Sequence, residues 1–286
     1  MKNIIITWTF SLLQLVVPAQ NVKSIDSEKT KICIIGIIHS ENEYRNSDSL
    51  LNILKNLKPD LILDEGDSTA SFFSRQYLLS KPPWWYSVGR KFRLLRKMPP
   101  EVEVLFKYKE FDENVKNLPF DKMIKNKKEF SKLYFKSERK WYSLLNSAFS
   151  KGEIPDSLTN VHVTYMTYNN WLHNTFKKSY KEINNPTVID SIRQFQEIEA
   201  KYISILTASN QLFGEFKTWL PLYRNFWLVR NEAMANNIIN LTWVTNAKKV
   251  VVFTGLLHKP YLIDLLNSYN SEHKYELIEY FENEER

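Results

Sequence analysis

Lys31-Ile32-Cys33-Ile34-Ile35-Gly36-Ile37-Ile38-His39, near the start of the chain, and Val250-Val251-Val252-Phe253-Thr254-Gly255-Leu256-Leu257-His258, near its end, read alike. Each is a β-branched apolar run of strand length, followed by a glycine, two aliphatics and a histidine. A short run with no polar alternation suits a strand covered on both faces, as in a parallel sheet. A third run, Leu61-Ile62-Leu63, ends in Asp64-Glu65-Gly66-Asp67. Between the first and the third, Leu50, Ile53, Leu54 and Leu57 share one helical face, with Asn46 or Ser47 as N-cap and Pro59 closing the segment. Strand, helix, strand in that order predicts a right-handed parallel unit. After the final apolar run, Tyr261, Leu262, Leu265 and Leu266 line up on a helix, and residues 275–281 are expected as an edge strand. The expected fold class is therefore α/β, a mostly parallel sheet built from both chain ends, residues 20–67 and 246–286.

The stretch between them, residues 68–245, reads as a large central helical insertion, or cap, cut by Pro82-Pro83, Pro99-Pro100, Pro119 and Pro155. Ile192, Phe195, Ile198, Tyr202 and Ile205 recur at helical spacing, as do Val229, Ala233 and Ile238 in a late helix over 226–243 that contributes to the site. At 286 residues, 43% apolar and 14% aromatic, the chain can bury a core, which excludes disordered and disulfide-rich classes. A single cysteine, Cys33, excludes an internal disulfide and a thiolate cluster, so a metal site would need His and carboxylates.

Residues 1–19 differ from the rest. Lys2 precedes an apolar stretch, and Val17-Pro18-Ala19 supplies small residues before Gln20, so an export signal cleaved near Ala19 is expected. The stretch is too short for a spanning helix. The formal charge is +7, concentrated between Lys81 and Lys140, where 17 Lys and Arg face 8 Asp and Glu. Trp84-Trp85-Tyr86 followed by Arg90, Lys91, Arg93, Arg96 and Lys97 could touch a membrane surface peripherally. No nucleic-acid-binding motif is present, and no nucleic-acid partner is expected.

The chemistry-bearing groups fall at strand ends. Parallel strands would bring His39, Glu65 and His258 to one rim, the edge at which open α/β sheets bind ligands. Gly36 and Gly255 concentrate backbone freedom beside them and, with Asn231, are expected to position substrate. Neutral imidazoles and a carboxylate suit Mn, Co or Zn with an open water position, or a metal-free histidine base oriented by Glu65. Both lead to hydrolysis. His162, His173 and His273 are expected as packing or surface histidines. No G-x-S-x-G elbow, Walker loop or H-E-x-x-H occurs.

Gly36-x-x-His39, Glu65 after the next strand, Arg230-Asn231-x-x-Met234-Ala235 on a late helix and Gly255-x-x-His258 together resemble the TraB/PrgY/TIKI superfamily. GumN-like bacterial members and more distant erythromycin-esterase and ChaN-like relatives share that plan. The resemblance covers residues 31–65 and 230–268. It implies an exported metal-dependent hydrolase, a peptidase or esterase, with His39, Glu65 and His258 holding a divalent ion and Arg230 in the cleft. The alternative on the same scaffold is a non-catalytic protein that captures a peptide or haem-like ligand without turnover. Asp64 stands where the family more usually has a hydrophobic residue, which makes it a rival metal ligand.

Overall fold

The computed structural model describes residues 29–67, 88, 99–121, 127–209, 211–217 and 219–281. The expected export signal and the segment from Trp84 to Lys97, apart from residue 88, lie outside the described residues. Five strands form one all-parallel sheet: β1 (Thr30–Ile37), β2 (Leu61–Asp67), β3 (Lys116–Asp121), β4 (Lys249–Gly255) and β5 (Tyr275–Ile278). Their spatial order is β3-β2-β4-β1-β5. The two matching apolar runs are neighbours in register, with Gly36 opposite Thr254 and Ile37 opposite Gly255. The fold is the expected α/β class with a parallel sheet.

The alternation along these strands decides which helices cover which face. Cys33, Ile35 and Ile37 of β1 and Val251 and Phe253 of β4 point to one side. Ile32, Ile34, Val250 and Val252 point to the other. The first face is covered by α1 (Ser47–Leu57), α2 (Pro100–Phe111) and the helical cap; the second by α7 (Trp219–Thr245), through Met234, Ala235 and Ile238, and by α8 (Lys259–Tyr269), through Leu262 and Leu266. Each fully buried Ile or Val removes roughly 1.5–3 kcal/mol of apolar surface from water, so a one-residue slip of β1 would exchange two complete faces. Helix α1 starts where Asn46 Oδ1 accepts the Ser49 N–H at 2.9 Å and ends at Lys58, left-handed at φ 49°, just before Pro59. The chain then enters β2 with its crossover complete.

The remaining helices α3 (Lys127–Ser150), α4 (Asp156–Thr175), α5 (Tyr180–Ile183) and α6 (Pro186–Ser209) make the cap. His162 is buried in it, with Nδ1 against the Tyr202 hydroxyl at 2.5 Å and its ring stacked on Phe149, a packing role as expected. Among the described residues no helix is long and apolar enough to cross a membrane.

One strand corrects the sequence reading. β3 falls inside the stretch read as helical and forms the sheet edge beside β2. Only Leu118 and Phe120 are aliphatic or aromatic in Lys116-Asn117-Leu118-Pro119-Phe120-Asp121, and the proline speaks against a central strand. At an edge, one side of the strand needs no ladder donor, so Pro119 is tolerated there. The late helix is also longer than 226–243, spanning Trp219–Thr245.

Candidate functional site

Because all strands run parallel, their carboxyl ends share one rim. There β2 delivers Asp64 and Glu65, β3 delivers Asp121, β4 delivers Thr254 and Gly255, and His39 and His258 follow β1 and β4. Helix α7 crosses this rim and presents Trp227, Arg230 and Asn231, one helical turn of side chains at i, i+3 and i+4.

Arg230 is the hub. Its Nε donates to Asp121 Oδ1 at 3.1 Å, Nη2 donates to Asp121 Oδ2 at 3.0 Å and to Glu65 Oε1 at 2.5 Å, and Nη1 donates to His258 Nε2 at 2.9 Å. A guanidinium has five N–H donors and no acceptor. Four are committed, and the second Nη1 hydrogen has no acceptor among the described residues. Because Arg230 can only donate, His258 Nε2 must carry its lone pair, and His258 Nδ1–H donates to Asn231 Oδ1 at 2.7 Å. Trp227 stacks on the imidazole with centroids 4.0 Å apart and 15° between planes. Burial, with the Arg230 cation adding to it against the pull of Glu65, pushes the His258 pKa down to about 4, so the ring is neutral at physiological pH.

Glu65 is held on both oxygens. Oε2 accepts the Gly255 N–H at 2.5 Å and the Thr254 hydroxyl at 3.2 Å, while Oε1 takes Arg230. Burial would raise its carboxyl, but the positive groups around it, His258, Arg230 and the Gly255 amide, hold it below the ordinary glutamate range. With His258 neutral above about pH 4, the guanidinium and the amide do this at neutral pH. Gly255 lets these groups close in on one another: a Cβ there would crowd Glu65 Oε2 at 3.3 Å, with His258 Cδ2 at 3.5 Å and His39 Nε2 at 3.9 Å.

His39 is the second imidazole and its surroundings are opposite. Its Nδ1 meets Glu101 Oε1 at 2.5 Å, and its side chain is 59% exposed. The hydrogen bond to Glu101 outweighs desolvation and raises the His39 pKa. With the Glu101 carboxylate accepting from Nδ1–H, Nε2 carries the lone pair and has no partner among the described residues. The orienting carboxylate is Glu101, from the first turn of α2, and not Glu65.

The implied divalent ion does not fit this arrangement. Glu65 Oε1 and His258 Nε2 lie 3.7 Å apart, yet both are bonded to the Arg230 cation, which occupies the position an ion would need. Among the described residues no group of three His, Cys, Asp or Glu side chains could hold a metal. Asp64 is no substitute ligand, since it lies buried with Oδ1 accepting the Gly66 N–H at 2.7 Å and Oδ2 without a partner. Burial, against the pull of the Gly66 amide, pushes its pKa up to about 6.

Two expected substrate-positioning residues turn out to be internal. Asn231 is fully buried behind His258, donating to the Trp227 carbonyl at 2.8 Å. Gly36 has its N–H and carbonyl both taken by the buried Asn184 side chain, at 2.7 and 2.9 Å, and a Cβ there would strike Leu256 Cδ1. Its missing side chain makes room for packing and not for a ligand. Glu101, Asp121 and Trp227 escaped the sequence reading; the i, i+3 spacing of Trp227 and Arg230 was the available signal for the third. No protein-family model, no curated protein and no solved structure matches this chain.

Proposed function

We propose that the chain is an exported hydrolase of amide or ester bonds, built on the plan of the TraB/PrgY/TIKI superfamily and working through a histidine base. The single observation that carries this reading is the His39–Glu101 dyad, whose Nε2 has no partner among the described residues, beside a guanidinium that still has a hydrogen to give. A water at His39 Nε2 would lose a proton to it as its oxygen adds to the substrate carbonyl carbon. The carbonyl oxygen, becoming an oxyanion, would accept the remaining Arg230 Nη1 hydrogen. Collapse of the adduct breaks the bond to the leaving amine or alcohol, which takes the proton from His39. Glu101 fixes the tautomer and favours the imidazolium that forms. Asp121, Glu65 and His258 hold the guanidinium in place, so its orientation costs nothing at the moment of reaction. The resemblance would have a divalent ion perform the polarising step; in this reading Arg230 performs it.

The test is hydrolysis of p-nitrophenyl esters and peptide anilides by the full chain, with and without chelator, beside His39→Asn. Turnover that survives chelation and is lost in the variant is expected. Turnover lost on chelation and restored by Mn or Co would overturn the metal-free route and favour the family's metal. A wild type that turns over neither class, while retaining a peptide or haem, would replace hydrolysis with capture.

A further inference from the structure

A cavity of about 230 Å³ lies where α6, α7 and α8 meet, and one of its walls is Trp227, the ring stacked on His258. It is therefore one aromatic ring away from the reacting centre. Its size is below the roughly 300–1,000 Å³ of sites that take a whole drug-sized ligand, and suits one side-chain-sized group. Leu228 and Pro260 give it apolar walls, and Tyr261 meets Trp227 edge-on with centroids 6.3 Å apart.

Its charge runs opposite to that of the chain. The chain as a whole is +7, yet the ionisable side chains lining this cavity are Glu197, Glu199 and Asp264 against Arg193 alone. Arg193 is not available to repel a cation. Its Nε and Nη2 donate to Asp264 at 3.1 and 2.8 Å, and its Nη1 donates to Asp190 at 2.5 Å, so two carboxylates more than neutralise it. Glu199 is fixed by the Tyr142 hydroxyl at 3.2 Å. Carboxylates, an indole and a phenol ring, and aliphatic side chains in one lining are what an organic cation on an alkyl stem requires: charge pairing, cation–π attraction and desolvation of the stem.

We propose that this cavity is a subsite for a guanidinium or alkylammonium group carried by the substrate. The proposal rests on the hydrolase reading for its role, since Trp227 is both a wall of the cavity and the ring stacked on His258; its binding does not depend on turnover. The substrate class is then an ester or amide with a cationic side chain near the scissile bond.

The probe is butylguanidinium, titrated calorimetrically into the full chain beside the neutral isostere butylurea. Wild type is expected to prefer the cation by about tenfold, a preference that weakens with added salt. The Glu197→Gln/Glu199→Gln double variant should bring the two probes to parity. Leu228→Trp, at a lining position that is largely exposed, should weaken both by filling the cavity while leaving the carboxylates intact. His39→Asn should bind as wild type does, which separates this subsite from the catalytic proposal. Equal binding of the two probes by wild type, or a cation preference that survives the double variant, overturns the proposal even if the chain is an active hydrolase.

Discussion

Replacing Arg230 by methionine keeps most of its volume and removes all of its donors. Four hydrogen bonds vanish, and Asp121, 1% exposed, and Glu65, 13% exposed, are left as neighbouring anions without their common cation. Breaking a buried pair from one side typically costs about 3–5 kcal/mol because the surviving charge stays desolvated. That is a large part of the roughly 5–15 kcal/mol total stability of a domain and corresponds to a fall in melting temperature on the order of 10 °C. The loss has a defined pH dependence. In the wild type, Glu65 is held below its ordinary range, so its contribution is present above the unfolded value of 4.5 and is lost as pH falls through the lower folded value. In the variant Glu65 loses the cation that helps to hold its pKa down, so wild type and variant should converge on acidification. Thermal unfolding by far-ultraviolet circular dichroism at about pH 7 and about pH 3 measures this. Zinc titration supplies a second readout: with the guanidinium gone, Glu65 Oε1 and His258 Nε2 become free donors, and the variant should gain zinc affinity that the wild type lacks. Equal melting temperatures at neutral pH, or stoichiometric zinc binding by the wild type that His39→Ala abolishes, would refute the placement of Arg230 as the internal cation of the site.

Glu101→Gln keeps an oxygen within reach of His39 Nδ1–H but removes the charge. A loss of roughly 100-fold in kcat/KM is expected, and the acid limb of its pH profile should move to lower pH, because the carboxylate that raises the His39 pKa is gone; an unmoved limb would sink the dyad. Acid should also destabilise the fold through His258. The unfolded chain takes a proton there below 6.5 and the folded chain only below about 4, so stability falls across that window by up to about 1.4 kcal/mol per pH unit. Urea midpoints for His258→Gln should lose this slope, and parallel pH dependences in the two proteins would contradict a neutral buried imidazole.

The core was legible because β1 and β4 are dense in Ile and Val and β2 opens on Leu61-Ile62-Leu63, apolar runs that a parallel sheet buries on both faces. β3 was not, because an edge strand needs only one apolar face and admits Pro119. The rim was legible in part: strand ends announce His39, Glu65 and His258, and the helix motif announces Arg230. Their partners were invisible for a physical reason. Glu101 lies 62 positions from His39 and Asp121 lies 109 from Arg230, both inside a segment whose composition reads as basic. Charge summed over a segment hides the few carboxylates that folding places beside a distant cation. Asn184 was hidden in the same way, since nothing local in its sequence suggests that it bonds both polar groups of Gly36.

The repeated G-x-x-H motif suggested two equivalent imidazoles, as a metal site would use them. Folding makes them unequal. His258 faces a guanidinium and an amide oxygen, so both nitrogens are engaged and the ring stays neutral. His39 faces a carboxylate, so one nitrogen is engaged, the other is bare, and protonation is favoured. Environments that drive two like groups apart in basicity divide the roles between them: the ring that protonates readily is suited to move a proton, and the ring that resists protonation is suited to hold a cation in place. What separates the two roles is burial at His258 and the Glu101 carboxylate at His39, with Arg230 committing the lone pair of the first. A substitution that neutralised Arg230 would release His258 Nε2 and Glu65 Oε1 together, while His39 stayed paired with Glu101.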